Sequence, residues 1–403
     1  MFLTEDYIQQ NIMLESSLSL SQFIKNHIRL EGPISLARYM DYCLLHPQFG
    51  YYTQGKAIGA DGDFITAPEI SQCFGEMVGL WCLDLIKQML TLRPDTPIHL
   101  IELGPGRGVL MKDILRVLTI NNIAPSRLQI TLVEASPEFK KTQYDALHDS
   151  SHAYQEQIDW QPNLDFPLQG TPLYVANEFF DALPIHQFMF TEKGVDEICI
   201  ALNEKDEFCY IQYPLEPENH DIILTLLDKI KERKQQKQNQ GQDQDDSSFI
   251  IETSPISEAI IAQMADKIAQ KGGGALVIDY GYAGLPPEGG SFQAVHNHNY
   301  GNPLEHQGQQ DLTAHVDFSA LYKAAQPYDI ALYPLLHQSD FLYAEGINYR
   351  MEELIRLHPQ KKESIISGVE RLTHEKQMGQ LFKVMQMSEK KLLPSLFEQA
   401  NEG

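Results

Sequence analysis

One stretch constrains the fold of this chain more than any other: HLIELGPGRGVLMKDIL, residues 99–115. The mostly apolar run PIHLIEL precedes glycines at 104, 106 and 108, and the helix-like segment GVLMKDILRVL follows. A strand that turns into a helix through alternate glycines brings backbone N–H groups and a helix start up to a ligand, because any Cβ there would hold the ligand away. As a dinucleotide fingerprint the spacing fails. G-x-G-x-x-G asks for glycine at 109, where Val109 stands, and Gly108 comes one place early. A tight turn with no ligand is the plain alternative.

The flanking sequence supplies the architecture. After PIHLIEL and its helix come strand RLQITLVEA, helix SPEFKKTQYDAL and strand TPLYVANEF, an alternation that predicts a parallel, doubly wound sheet. Upstream, SLSQFIKNHIRL, PISLARYMDYCLL and QCFGEMVGLWCLDLIKQML have helical apolar spacing, which makes Met77 and Trp81 core residues. HQFMFTEKGVDEICIALNEKDEFCYIQY reads as an antiparallel excursion, and ERKQQKQNQGQDQDDSS (232–248) as a polar loop without chemistry. The alternation is expected to resume at SFIIET, followed by helix PISEAIIAQMADKIA, strand GALVIDY, a long loop to Asp311, helix VDFSALYKAA, strand DIALYPL and a helical C-terminal part with a short strand at LFKVMQM. The expected domains are a helical N-terminal region and lid over 1–92, the first part of the core over 93–185, an inserted β excursion and loop over 186–250, and the rest of the core over 251–403.

Bulk properties narrow the function. A formal charge of −24 repels a phosphate backbone, so nucleic acid is not expected as a substrate. Five scattered cysteines with no CxxC pair suggest neither a disulfide framework nor a zinc cage. MFLTEDYIQQNIMLESS has the character of neither a secretory nor a transit peptide, and no run approaches a membrane span, so the expected setting is a reducing cytoplasm. His296, His298, His306 and His315 cluster in FQAVHNHNYGNPLEHQGQQDLTAHVDF, but convincing Asp, Glu or Cys partners are missing, and no metal is expected.

Acidic residues at strand ends are the remaining candidates. Glu134 closes the second strand, where a carboxylate can accept from both hydroxyls of a ribose, or can simply face solvent. VANEFFDALPIHQF puts Asn177, Glu178 and Asp181 at the carboxyl edge of the sheet, where open α/β sheets bind ligands. Glu178 can equally serve a helix start, and Asp181 a turn. Asp279 in VIDYGY is either another acceptor-side carboxylate or a loop cap.

GDFITAPEISQCFGE, ELGPGRGVLMKDILR, VEASPEFKKTQ, NEFFDALPIHQF, GGALVIDYGY and DLTAHVDFSAL occur in an order that closely resembles the MidA family, over roughly residues 15–390. The resemblance implies a class I S-adenosyl-L-methionine (SAM) methyltransferase: an α/β protein with a Rossmann-like seven-stranded sheet, a helical N-terminal region and an inserted α+β subdomain. It implies Gly104, Gly106 and Gly108 as the SAM loop, Glu102 beside the methionine moiety, Glu134 on the ribose, and Asn177, Glu178 and Asp181 on the acceptor side. Phe64, Thr66, Pro68 and Glu69 would fold over the pocket as part of a lid, with Ser71 and Gln72 starting the next helix. Mitochondrial members methylate an arginine of a respiratory complex I core subunit, so a protein partner is implied, and this chain looks like a bacterial member. An assembly chaperone that keeps the fold without turnover, and a nicotinamide-dependent oxidoreductase, are the rival readings.

Overall fold

A computed structural model describes residues 19–54, 66–148, 152–191, 194–215, 226–231, 248–284, 286–296 and 299–397. Phe64, His298 and all but Ser248 of the Gln/Asp-rich stretch lie outside them. The chain divides into two compact units: residues 58–182, 255–283 and 315–403 form the larger, and 1–57, 183–254 and 284–314 the smaller. Each is therefore assembled from three separated stretches.

The larger unit is built on strands β1 (Ile98–Leu103), β2 (Leu128–Val133), β3 (Ile158–Gln161), β4 (Thr171–Asn177), β5 (Gly274–Tyr282), β6 (Ala331–Leu332) and β7 (Phe382–Ser388). Their order across the sheet is β3-β2-β1-β4-β5-β7-β6, parallel from β3 to β5, with β7 antiparallel to both neighbours. Two short strands, Val316–Asp317 on β5 and Leu336–His337 on β7, bring the sheet to nine. Every residue of β1 and β4 is buried, as central parallel strands covered on both faces require. DIALYPL contributes only the two residues of β6, and β3 had no counterpart in the periodicity.

Helix α1 (Gln72–Leu92) starts at Ser71, whose Oγ accepts the Cys73 N–H, as the sequence suggested. It packs against α2 (Val109–Ile120), the helix that follows the glycine turn. The close approach depends on Gly75 and Gly79, one turn apart. A Cβ on Gly75 would lie 2.6 Å from the Asp113 side chain, and one on Gly79 would lie 2.9 Å from Val117. Met77 and Trp81 are buried in the same core, and the Trp81 indole donates to Gln386 Oε1 on β7 at 2.8 Å.

The smaller unit contains an antiparallel sheet of Ile34–Ser35, His186–Thr191, Gly194–Leu202, Phe208–Pro214 and Ser248–Thr253. Residue pairs Ile34 with Ile200 and Ser35 with Cys199 tie the N-terminal helices to this sheet. SFIIET does not resume the parallel alternation: Ser248–Thr253 pairs antiparallel with His186–Thr191 along its whole length. Phe249 and Ile251 face a small core with Phe188, Leu226 and Ile230, so one face of the strand is buried against a helical turn at 226–231. A short apolar run has the same composition in either kind of sheet. The long loop before Asp311 also holds structure, a three-stranded sheet of Gln293–His296, Asn299–Gly301 and Asp311–Thr313. Among the described residues no helix is long and apolar enough to cross a membrane.

Candidate active site

The glycine turn leaves β1 with all three glycines at positive φ: +61° at Gly104, +51° at Gly106 and +80° at Gly108. L side chains rarely adopt this region, and Gly108 serves as the left-handed residue that opens α2. The turn is anchored by the Gly104 N–H on Val133 O and closed by the Gly108 N–H on Pro105 O. A Cβ on Gly104 would lie 2.7 Å from the Phe179 ring. The loop therefore needs bare backbone even without a ligand.

A cleft opens at the carboxyl ends of β1 and β4. It is lined by Gly104, Pro105, Gly106 and Arg107 of the turn, by Glu102, Asn177 and Glu178 at the strand ends, and by Thr66, Pro68 and Glu69. The last three belong to a short helix, Ala67–Ile70, started by Thr66, and Glu69 lies 3.5 Å from the Arg107 guanidinium. Among the residues singled out from the sequence, Thr66, Pro68, Glu69, Glu102, Gly104, Gly106, Asn177 and Glu178 line this cleft. Gly108, Glu134 and Asp181 stand outside its lining.

Each carboxyl group has its own environment. Glu102 is buried, its Oε2 has no hydrogen-bond partner among the described residues, and desolvation pushes its carboxyl up to about 8. Glu178 sits at φ +49°, an uncommon conformation for a residue with a side chain, directly after β4. Its Oε1 accepts the Ala67 N–H at 2.8 Å and the Asn177 Nδ2 at 3.1 Å. Burial, supported by the nearby Asp181 and Glu69 charges, raises the Glu178 carboxyl to about 7 against the pull of these donors. Its Oε2 takes no hydrogen bond from any described residue.

Asp279 resolves to a loop cap. Its Oδ2 accepts the backbone N–H groups of Phe179, Phe180 and Asp181 at 2.9 to 3.2 Å, and Oδ1 that of Tyr280. Fully buried beside Asp181 and Glu178, it titrates well above the ordinary carboxylate range. Asp181 is buried behind the cleft with its carboxyl raised to about 6, mainly by desolvation and opposed by the Tyr280 hydroxyl. Glu134, at the end of β2, accepts the Ser136 N–H on Oε1 and the Gln143 amide on Oε2. Among the described residues no group of three or more His, Cys, Asp or Glu side chains is arranged to hold a metal. His315 stacks edge-on against Tyr280, and His306 is a positive-φ turn residue.

Comparison with known proteins agrees with this geometry. Residues 77–333 match the model of a family described as S-adenosyl-L-methionine-dependent methyltransferase. Protein arginine methyltransferase NDUFAF7, mitochondrial, of Danio rerio is 33% identical over 389 residues, 91% of this chain and 87% of the relative. The Homo sapiens protein of the same name is 32% identical, with 88% and 80% covered. A structure from Burkholderia thailandensis bound to S-adenosyl-homocysteine superposes with a TM-score of 0.79 over 98% of this chain and 97% of its own, at 24% identity, and shares the fold. The strand order, the glycine turn at the end of β1 and these matches lead to one conclusion: the chain belongs to the S-adenosyl-L-methionine-dependent methyltransferase family, as an enzyme of MidA type that uses SAM.

Proposed function

We propose that this methyltransferase acts on an arginine side chain of a protein partner, in a reducing cytoplasm where the described cysteines stay free thiols. The observation that carries the reading is Glu178, a half-buried carboxylate raised by desolvation to about 7, with Oε1 fixed by two donors and Oε2 left for a substrate. The arginine reading is also supported by the names of the relatives, and a respiratory complex I subunit is the first partner to try on the strength of the MidA resemblance.

The residues present fit SAM. Bound SAM supplies an electrophilic methyl group on a sulfonium. The bare backbone of Gly104 and Gly106 gives room for its methionine chain, and the donorless Oε2 of buried Glu102 suits the cationic amino group at the end of that chain. Glu134 suits the ribose hydroxyls, and Thr66 and Pro68 cover the cleft from the lid side. Asn177 holds the Glu178 carboxylate by its Nδ2, and Asp181 sets the local charge behind it. Glu178 binds the guanidinium, aligns one nitrogen with the methyl group and accepts the proton released as the N–C bond forms and the S–C bond breaks. The products are a methylated arginine, S-adenosylhomocysteine and a proton.

The test is to incubate the purified protein with SAM and a recombinant complex I core subunit, then locate a methyl group on arginine by peptide mass spectrometry, with Glu178→Gln as the control. Methylation of another residue type would remove the arginine reading, and equal arginine methylation by Glu178→Gln would remove the role given to Glu178.

A further inference from the structure

Helix α3 (Pro137–His148) buries Phe139, Gln143 and Leu147, one side chain per turn. The middle position of that stripe calls for an aliphatic residue, yet it holds a glutamine with no exposed surface. A buried amide is costly unless its donors and acceptor are satisfied. Here they are. Nε2 donates to Gly106 O at 2.8 Å and to Glu134 Oε2 at 3.1 Å, while Oε1 accepts the Trp160 indole N–H at 2.9 Å.

The orientation of this amide is not free to reverse. An indole N–H only donates, so Trp160 must face the oxygen, and a carbonyl and a carboxylate only accept, so Gly106 and Glu134 must face the nitrogen. Backbone and side chain thus meet on one group: Gln143 Cα would also lie 3.4 Å from a Cβ on Gly108. Glu134 has its Oε1 held by the Ser136 N–H, and the Gln143 contact on Oε2 fixes the plane of the carboxylate. Each oxygen keeps a lone pair for one further donor.

We propose that Gln143 is a positioning residue that couples the SAM loop at Gly106 to the ribose-binding carboxylate of Glu134, with Trp160 setting its direction. The inference rests on the SAM and ribose roles proposed above for Gly106 and Glu134. It makes the grip on the two parts of the cofactor cooperative: a ligand that orders Glu134 through its ribose also steadies the loop, and a ligand without ribose hydroxyls loses both effects.

The experiment is a thermodynamic cycle by isothermal titration, using S-adenosylhomocysteine and its 2′,3′-dideoxyribose analogue against wild type, Gln143→Met and Trp160→Phe. Wild type should prefer S-adenosylhomocysteine by about tenfold or more, the worth of one or two charge-assisted hydrogen bonds. Gln143→Met should weaken S-adenosylhomocysteine roughly tenfold and shrink the ribose preference below about threefold, because the two changes act through one network. Trp160→Phe, which keeps the ring and frees the amide to turn, should move both numbers the same way by less, and it carries the test if Gln143→Met does not fold. A Gln143→Met protein that weakens both ligands by one factor, with the ribose preference intact, overturns the coupling. Wild type that binds neither ligand, or both equally, instead overturns the cofactor or ribose assignment from which the coupling is built.

Discussion

The backbone N–H of Ala67 donates to Glu178 Oε1 at 2.8 Å, so the first residue of a four-residue helix holds the acid proposed to receive the substrate. Together with the Asn177 amide, this contact leaves Oε1 engaged and Oε2 without a described donor.

Glu178→Gln should therefore keep SAM affinity within about twofold of wild type while the transfer rate falls by roughly two orders of magnitude or more, the usual worth of a general base. In wild type the rate should rise with pH through about 7, since the raised carboxyl must lose its proton before it can bind and deprotonate a guanidinium. Single-turnover methyl transfer from pH 6 to 9 reads both effects. A flat profile would exclude Glu178 as the base.

Gly106→Val should abolish measurable SAM binding. The position has φ +51° and lines the cleft, so a β-branched residue brings backbone strain of about 1–2 kcal/mol as well as a side chain where the ligand must lie. Calorimetric titration with SAM settles it, and unchanged affinity would dissociate the glycine turn from the cofactor.

Asp279→Ala leaves three successive N–H groups, two of them buried, without their acceptor. The loss should be roughly 3 kcal/mol or more of folding stability, measured by urea denaturation. Transfer should fail in whatever fraction stays folded, because the loop that carries Glu178 at positive φ is no longer tied to β5.

His99 gives the protein an acid-labile point. It is buried in β1, accepts the Gln169 N–H on Nδ1 and so donates from Nε2 to Thr131 Oγ1, and burial lowers its pKa to about 4. The unfolded chain takes up that proton near 6.5, so this contribution is whole above 6.5 and disappears as pH falls to about 4. It amounts to at most about 3 kcal/mol, at 1.36 kcal/mol per pKa unit. The difference in urea stability between wild type and His99→Gln should shrink by that order between pH 7 and pH 4.5. A constant difference would show that His99 is not held neutral.

The parts of this protein legible in the sequence were those with a local cause. Strand β1, its glycine turn and α2 follow from an apolar run, three residues that tolerate positive φ, and helical periodicity, all within one short stretch. Asn177 and Glu178 were candidates because a strand end in an open sheet is a site by topology, whereas Glu102 came only with the family resemblance. What escaped depends on partners distant in sequence. Whether SFIIET joins a parallel or an antiparallel sheet is decided by His186–Thr191, and nothing within its six residues encodes that choice. Asp279 was left between two roles because its acceptors' partners, the N–H groups of residues 179–181, are a hundred positions away. Gln143 passed unnoticed, although a glutamine between Phe139 and Leu147 on an amphipathic helix was the available sign.

Strand β7 occupies an inner place in the sheet, between β5 and β6, yet it is the last of the seven along the chain. During synthesis, the free edge of β5 must therefore wait unpaired on that side while about a hundred residues emerge from the ribosome. An exposed, mostly apolar strand is a template for association with other nascent chains. Translation speed over the helices that precede Phe382, or a chaperone that shields β5 meanwhile, would then govern the yield of native enzyme more strongly than any contact in the finished fold.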